Sequence, residues 1–249
     1  MTPLTEFFTY AAVGAAAQLV DGSLGMAYGV TSAGMLLSLG MPPAMASASV
    51  HYAETFTSGA SGISHWLAGN VRWPLFFMLV IPGVIGAVIG AHLLTHLPSH
   101  WVRVLLTPYL LLIGLFLLLR ARRSDVFRTD VPRDTVPLGL LAGFLDAVGG
   151  GGWSALTVTT LVARKLEPRR VIGSVHLAKC VVSAAAAATF LLSIGAGKYV
   201  VMLGLIVGGV VAAPFGALLA RRMPPRLATL LAGLTVLGLG INNALSLMR

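Results

Sequence analysis

The chain states one pattern twice. Asp21, Gly25, Pro43, Ser49, Val50, His51 and Ala53 recur 125 positions later as Asp146, Gly150, Pro168, Ser174, Val175, His176 and Ala178. After a one-residue slip, Gly83, Gly90, Pro98, Leu105 and Gly114 recur at spacing 126 as Gly209, Gly216, Pro224, Leu231 and Gly240. The polar centre of the match sets Ser49–Glu54, SVHYAE, against Ser174–Lys179, SVHLAK. A duplicated chain folds as two similar units that must bury their common faces together. When the units are strongly apolar yet keep matching ionisable residues, the expectation is a two-repeat membrane protein with its site between the repeats.

Composition agrees with that reading. With 57% of its residues apolar and 10% charged, the chain lies far from globular averages. Tyr199–Ala220 and Leu227–Met248 are uncharged runs of 22 residues each, enough to cross a hydrocarbon core of roughly 30 Å. Ala44–Gly69, Pro74–Thr95, Val102–Leu119 and Val171–Ile194 complete six predicted spans. The excess of 17 Lys and Arg over 8 Asp and Glu falls mainly in loops between spans, where basic residues set topology, so nucleic acid is not an expected partner. No Lys or Arg precedes Arg72, which leaves the start without the basic region of a cleaved signal peptide. Cys180 is alone and inside a span, so it offers no disulfide and no multi-cysteine metal site.

Residues 7–39 and 136–163 do not read as simple spans, because each carries a glycine-rich break near its middle. The first holds Asp21-Gly22-Ser23-Leu24-Gly25; the second holds Asp146-Ala147-Val148 and then the run Gly149 to Gly152. Each glycine in a helix costs about 1 kcal/mol relative to Ala, so the run predicts an interruption. Each segment is therefore a broken single span or a re-entrant hairpin. Charge chooses between them. Hairpins put 13 of the 17 basic residues on one side of the membrane and three on the other, with Lys179 inside a span. Single crossings give 8 against 8, with no bias. The positive-inside rule favours hairpins, with residues 120–134 and 164–170 both cytoplasmic and both termini outside. One hairpin plus three spans is an odd number of crossings, which makes the halves an inverted repeat with both hairpin tips near the midplane. The predicted fold is thus an all-α polytopic membrane protein. Residues 1–120 form the first repeat, 121–135 a cytoplasmic linker and 136–249 the second repeat.

Four kinds of residue stand out. Asp21 and Asp146 precede the two breaks; intramembrane carboxylates are costly and usually functional. Either they carry a proton or Na⁺, or they accept hydrogen bonds from the freed amides and cap the second arm of each hairpin. The glycines Gly150, Gly151 and Gly152, with Gly25 in the first repeat, expose backbone N–H groups at the start of a half-helix, and Ser23 and Ser154 add hydroxyl donors. That is an anion site, with close helix packing through small residues as the alternative. His51 and His176 each have an ionisable residue three positions on, Glu54 and Lys179, on the same helix face. Lys179 lies too deep to reach water easily, and must meet Asp146, Glu54, water or an anion. The histidines either relay protons or are packing residues. The expected division is Gly150, Gly151, Gly152, Ser154, Lys179, His176, Ser23 and Gly25 for the substrate, and Asp21, His51, Glu54 and Asp146 for a coupling ion. No H-E-x-x-H or comparable spacing supports a metal, and no nucleotide fingerprint supports a cofactor.

This layout resembles the sulfite exporter TauE/SafE family of permeases. The resemblance rests on the two repeats with their broken glycine-rich openings, on Asp146–Trp153, and on the basic segment Arg164–Arg170 before the next span. It runs from about Tyr10 to Leu247. It implies a multi-pass protein of a bacterial inner membrane that moves sulfite, sulfonates or related organosulfur anions, often outward. The expected partners are a small anion, the lipid bilayer and H⁺ or Na⁺, with a homodimer left open. With no ATP-binding motif, energy must come from an ion gradient, the membrane potential or the substrate gradient. A membrane-embedded enzyme and a non-transporting subunit of a complex are the rival classes; no nucleophile motif such as GxSxG favours the first.

Overall fold

The computed structural model describes residues 2–24, 28–98, 135–164, 166–195 and 199–222, with scattered helical positions between 104 and 119 and between 230 and 245. The described residues are almost wholly helical. In the first half, α1 spans Pro3–Leu24, α2 Tyr28–Ser38, α3 Pro43–Leu67 and α4 Trp73–His96. In the second, α5 spans Thr135–Gly149, α6 Trp153–Ala163, α7 Pro168–Ile194 and α8 Tyr199–Arg222. The sequence period reappears in the element ends: α2 and α6 coincide at both ends at spacing 125, α3 and α7 begin 125 apart, and α4 and α8 coincide at both ends at spacing 126. Proline in the first turn starts both α3 and α7, where its missing N–H costs nothing.

Both halves open with helix, break, helix, as the glycine-rich segments predict. The second break is shorter than the four-glycine run suggests, because α5 continues through Gly149 and α6 resumes at Trp153. Gly150 and Gly152 have φ of 67° and 134°, conformations that side chains rarely adopt, and these two residues reverse the chain. In the first break, Gly25 lies outside the described residues, as do residues 26 and 27 and the Ser23 side chain. Most of the expected spans Val102–Leu119 and Leu227–Met248 also falls outside them.

The halves interlock rather than stand side by side. Helix α1 packs chiefly on α8, and α5 chiefly on α4, so the opening helix of each half rests on the fourth helix of the other. Small residues allow the close approach: a Cβ on Gly86 would meet the Leu140 carbonyl, one on Gly90 would meet Phe144 and Ala147, and one on Gly143 would meet Gly83. A Cβ on Gly139 would meet Leu79, so along Leu79–Gly139, Gly86–Leu140 and Gly90–Phe144 the numbers rise together, and α4 and α5 are parallel. At the centre α3 crosses α7. There Glu54 meets Lys179 and Ser183, Ser61 meets His176, and His65 lies against His176, with numbers running in opposite senses. The two equivalent helices are therefore antiparallel.

The molecule is inside out relative to a water-soluble protein. Phe77, Ile81, Ile85, Ile89 and Leu93 form an exposed stripe at helical spacing along α4, while His51, Glu54, Asp146 and Lys179 are buried. Among the described residues, Trp73–His96 and Arg170–Ile194 are long and apolar enough to cross a membrane, and Thr135–Gly149, Trp153–Val162 and Tyr199–Ala212 are shorter apolar helices. Trp66 and Trp73 pack edge to face at 6.1 Å near the α3–α4 turn, half-exposed, as interfacial aromatic anchors do.

Candidate functional site

The site forms where the two breaks reach the α3–α7 crossing. Asp146 Oδ1 accepts the Trp153 backbone N–H at 2.7 Å, spanning the break to cap α6. Asp21 Oδ1 accepts the Tyr28 N–H at 3.0 Å in the same way and caps α2. The capping role is thus present at both repeats, at residue pairs 125 apart. Asp146 has a second engagement: its Oδ2 lies 3.2 Å from His51 Nε2, with both side chains fully buried. His51 Nδ1 is held by the Ser47 carbonyl at 2.8 Å, and Ser47 Oγ donates to the Ala147 carbonyl at 2.5 Å. With Nδ1 at the Ser47 carbonyl, Nε2 is the ring nitrogen left for the Asp146 carboxylate.

Of the partners open to Lys179, the structure provides Glu54. Lys179 Nζ stands 2.5 Å from Glu54 Oε1, and Ser183 Oγ donates to Glu54 Oε2 at 3.2 Å. Each of the two residues lies in the middle of its helix, about 16 Å from the start. A buried pair of this kind holds only with good geometry and further hydrogen bonds, because desolvating two charges offsets most of their attraction. His176 is placed one turn away on α7, with Nδ1 2.9 Å from Ser61 Oγ and its ring 6.1 Å from that of His65.

The first turn of α2 touches the second break at this point. A Cβ on Gly29, at the start of α2, would lie 2.6 Å from both Glu54 Oε1 and the Gly151 Cα. A Cβ on Gly151 would overlap the Gly29 carbonyl carbon and the Val30 nitrogen. The Gly151 N–H donates to the Asp146 carbonyl at 2.9 Å, closing α5, so that amide is already engaged. Ser154 is buried in the first turn of α6, and its hydroxyl has no partner among the described residues.

The expected residues therefore do not sort by half. Both ion pairs join one half to the other: His51 to Asp146, and Glu54 to Lys179. Asp21 is not in the close set, whereas one ligand atom from each of His51, Glu54 and Asp146 lies within 4.8 Å of the others. A metal ion among those three would compete with the Lys179 ammonium for Glu54. Three serines escaped the sequence reading: Ser47, Ser61 and Ser183. The signal for Ser183 was present, since Ser58 stands 125 residues before it and both are buried.

The profile of the family described as sulfite exporter TauE/SafE matches residues 10–243. The probable membrane transporter protein YtnM of Bacillus subtilis (strain 168) is 42% identical over 239 residues, covering 92% of this chain and 80% of that one. No solved structure matches significantly. A buried polar seam between two interlocked apolar repeats is what a membrane transporter needs, and the chain belongs to the sulfite exporter TauE/SafE family of membrane transporters.

Proposed function

We propose that the chain is a multi-pass secondary transporter that moves a small anion, of the sulfite, sulfonate or related organosulfur class, across a bacterial inner membrane. The observation that carries this is Lys179, a cation buried at mid-helix, with the Ser183 hydroxyl one turn on and sharing Glu54, and with the buried Ser154 hydroxyl at the second break lacking a partner among the described residues. A fixed cation and hydroxyl donors suit a compact oxyanion. Gly150, Gly152 and His176 flank this seat. Asp146, His51 and Glu54 supply the exchangeable protons or the cation ligands for coupling to H⁺ or Na⁺, with Asp21 at the opposite break.

The topology follows the same reading. The antiparallel crossing of α3 and α7 supports re-entrant hairpins and opposite orientation of the halves; single crossings would make these equivalent helices parallel. It agrees with the thirteen basic residues that this arrangement gathers on the cytoplasmic side. Single cysteines at 120–134 and 164–170, on a Cys180-free background, are expected to label from the same face. Labelling from opposite faces sinks the hairpin arrangement. For substrate, proteoliposomes loaded with labelled sulfite, methanesulfonate or sulfate are the test: flux of the first two, lost in Lys179→Met, is expected. Flux of none of them in a folded, oriented protein rejects the anion class.

A further inference from the structure

We infer that the Glu54 carboxylate is a resident stand-in for the substrate: it occupies the anion's place on Lys179, and the transported anion binds by displacing it as Glu54 takes up a proton. This rests on the proposed anion seat and adds how that seat is emptied and filled. Glu54 is bound as a substrate oxyanion would be. One oxygen lies on the Lys179 ammonium and the other receives the Ser183 hydroxyl, while the carboxylate sits against Gly29, where the first turn of α2 touches the second break. Nothing longer than hydrogen fits at Gly29 without striking this carboxylate. The bare Cα of Gly29 leaves just enough room for it.

A displaced Glu54 cannot remain charged. Around it stand Lys179 and Ser183 from α7, Asp146 from α5, His51 one turn back on α3, and Tyr28 from α2, with Asp21 of α1 in the field of Lys179 and Tyr28. Once Lys179 turns to the incoming anion, the buried Glu54 loses its ionic partner and is left beside the Asp146 carboxylate, whose other partner is His51. The balance is then simple. Lys179⁺ paired with Glu54⁻, plus an anion A⁻ and one proton from solvent, becomes Lys179⁺ paired with A⁻ plus neutral Glu54. The net charge of the seat is unchanged, so one proton travels with each monovalent anion. Ser183 is a binding residue in both states, donating first to Glu54 and then to the anion.

The test is anion binding to the purified full-length protein in lipid nanodiscs, by calorimetry in two buffers of different ionisation enthalpy. Methanesulfonate is the probe, because it stays ionised throughout and cannot supply the proton itself. The wild type is expected to take up one proton per anion, and its affinity to fall about tenfold per pH unit once protons become limiting. Glu54→Gln should bind methanesulfonate at least tenfold more tightly, without proton uptake and without pH dependence. Ser183→Ala should weaken binding several-fold while keeping the proton. Binding to the wild type without proton uptake overturns the exchange even if Glu54→Gln fails to fold, and leaves the substrate class standing. Sulfate bound with proton uptake while methanesulfonate is refused supports the exchange and rejects the sulfonate class. No binding of either anion to wild type or Glu54→Gln overturns both.

Discussion

The two helix breaks hold equivalent aspartates and use them differently. Asp21 and Asp146 both cap the helix that follows, through the same oxygen and at positions 125 apart. Among the described residues, Asp146 also extends its other oxygen to a histidine of the opposite half, His51. The equivalent histidine, His176, is held by Ser61. Capping is local, a matter of seven residues of backbone, and survives divergence easily. The ion pairs depend on where two helices cross, and there the halves have parted.

Their parting has a physical cause. Glu54 and Lys179 occupy the same position in the two repeats, and they face each other. Cys180 and Thr55, also equivalent, meet as well, with Sγ 3.5 Å from the Thr55 carbonyl. On the proposed inverted-repeat topology, the pseudo-two-fold axis passes through this crossing. A perfectly symmetric ancestor would have set Glu against Glu or Lys against Lys, and like charges buried at that distance repel strongly. One site had to change sign for the other to stay charged.

Restoring the symmetry is the most damaging way to break this comparison. Glu54→Lys should cost about 3–5 kcal/mol, seen as a large drop in melting temperature in detergent, because it leaves two buried cations unpaired. Adding Lys179→Glu to that variant should recover more than half of the loss; no recovery would mean that the axis does not run through the pair. Gly151→Met gives the second break the residue that the first carries at the equivalent position, Met26. It forces a side chain onto the Gly29–Val30 backbone and is expected to cost about 3 kcal/mol and to abolish flux. Asp146→Asn keeps an acceptor for the Trp153 N–H but removes the charge from His51, for about 2 kcal/mol. Asp21→Asn caps equally well and should cost under about 0.5 kcal/mol, measured by the same melts. Equal losses in these two would erase the asymmetry between the breaks. The smallest effect belongs to Arg170 and Glu167, an ion pair exposed by half: Glu167→Gln should change stability by no more than about 0.5 kcal/mol.

Much of the fold was legible because its signals are local. Proline at 43 and 168 marks helix starts, the glycines at 150 and 152 mark a reversal, and the period carries most helix boundaries from one half to the other. Lys179 announced its need for a partner simply by lying deep in an uncharged run. Which partner it would find was not legible. Glu54 and Asp146 were both carboxylates within plausible reach, and the choice depends on the register of α3 against α7. That register is set by close contacts such as Gly62 on Leu177, which no spacing within one helix reveals. Ser183, set among alanines and valines, carries no local mark of its partner for the same reason. Its role depends on an oxygen that arrives from the other half.

The interlocking of the halves also has a bearing on how the protein is made. Helix α1 is made long before α8, yet the face it rests on belongs to α8. Helix α4 likewise waits for α5. During synthesis the glycine-lined faces of the first repeat must be covered by lipid or by an insertion chaperone, and Glu54 must wait without Lys179 until α7 is in place. A chain truncated after the first repeat would keep those surfaces bare, so the quality-control machinery of the membrane has a clear mark by which to tell half a transporter from a whole one.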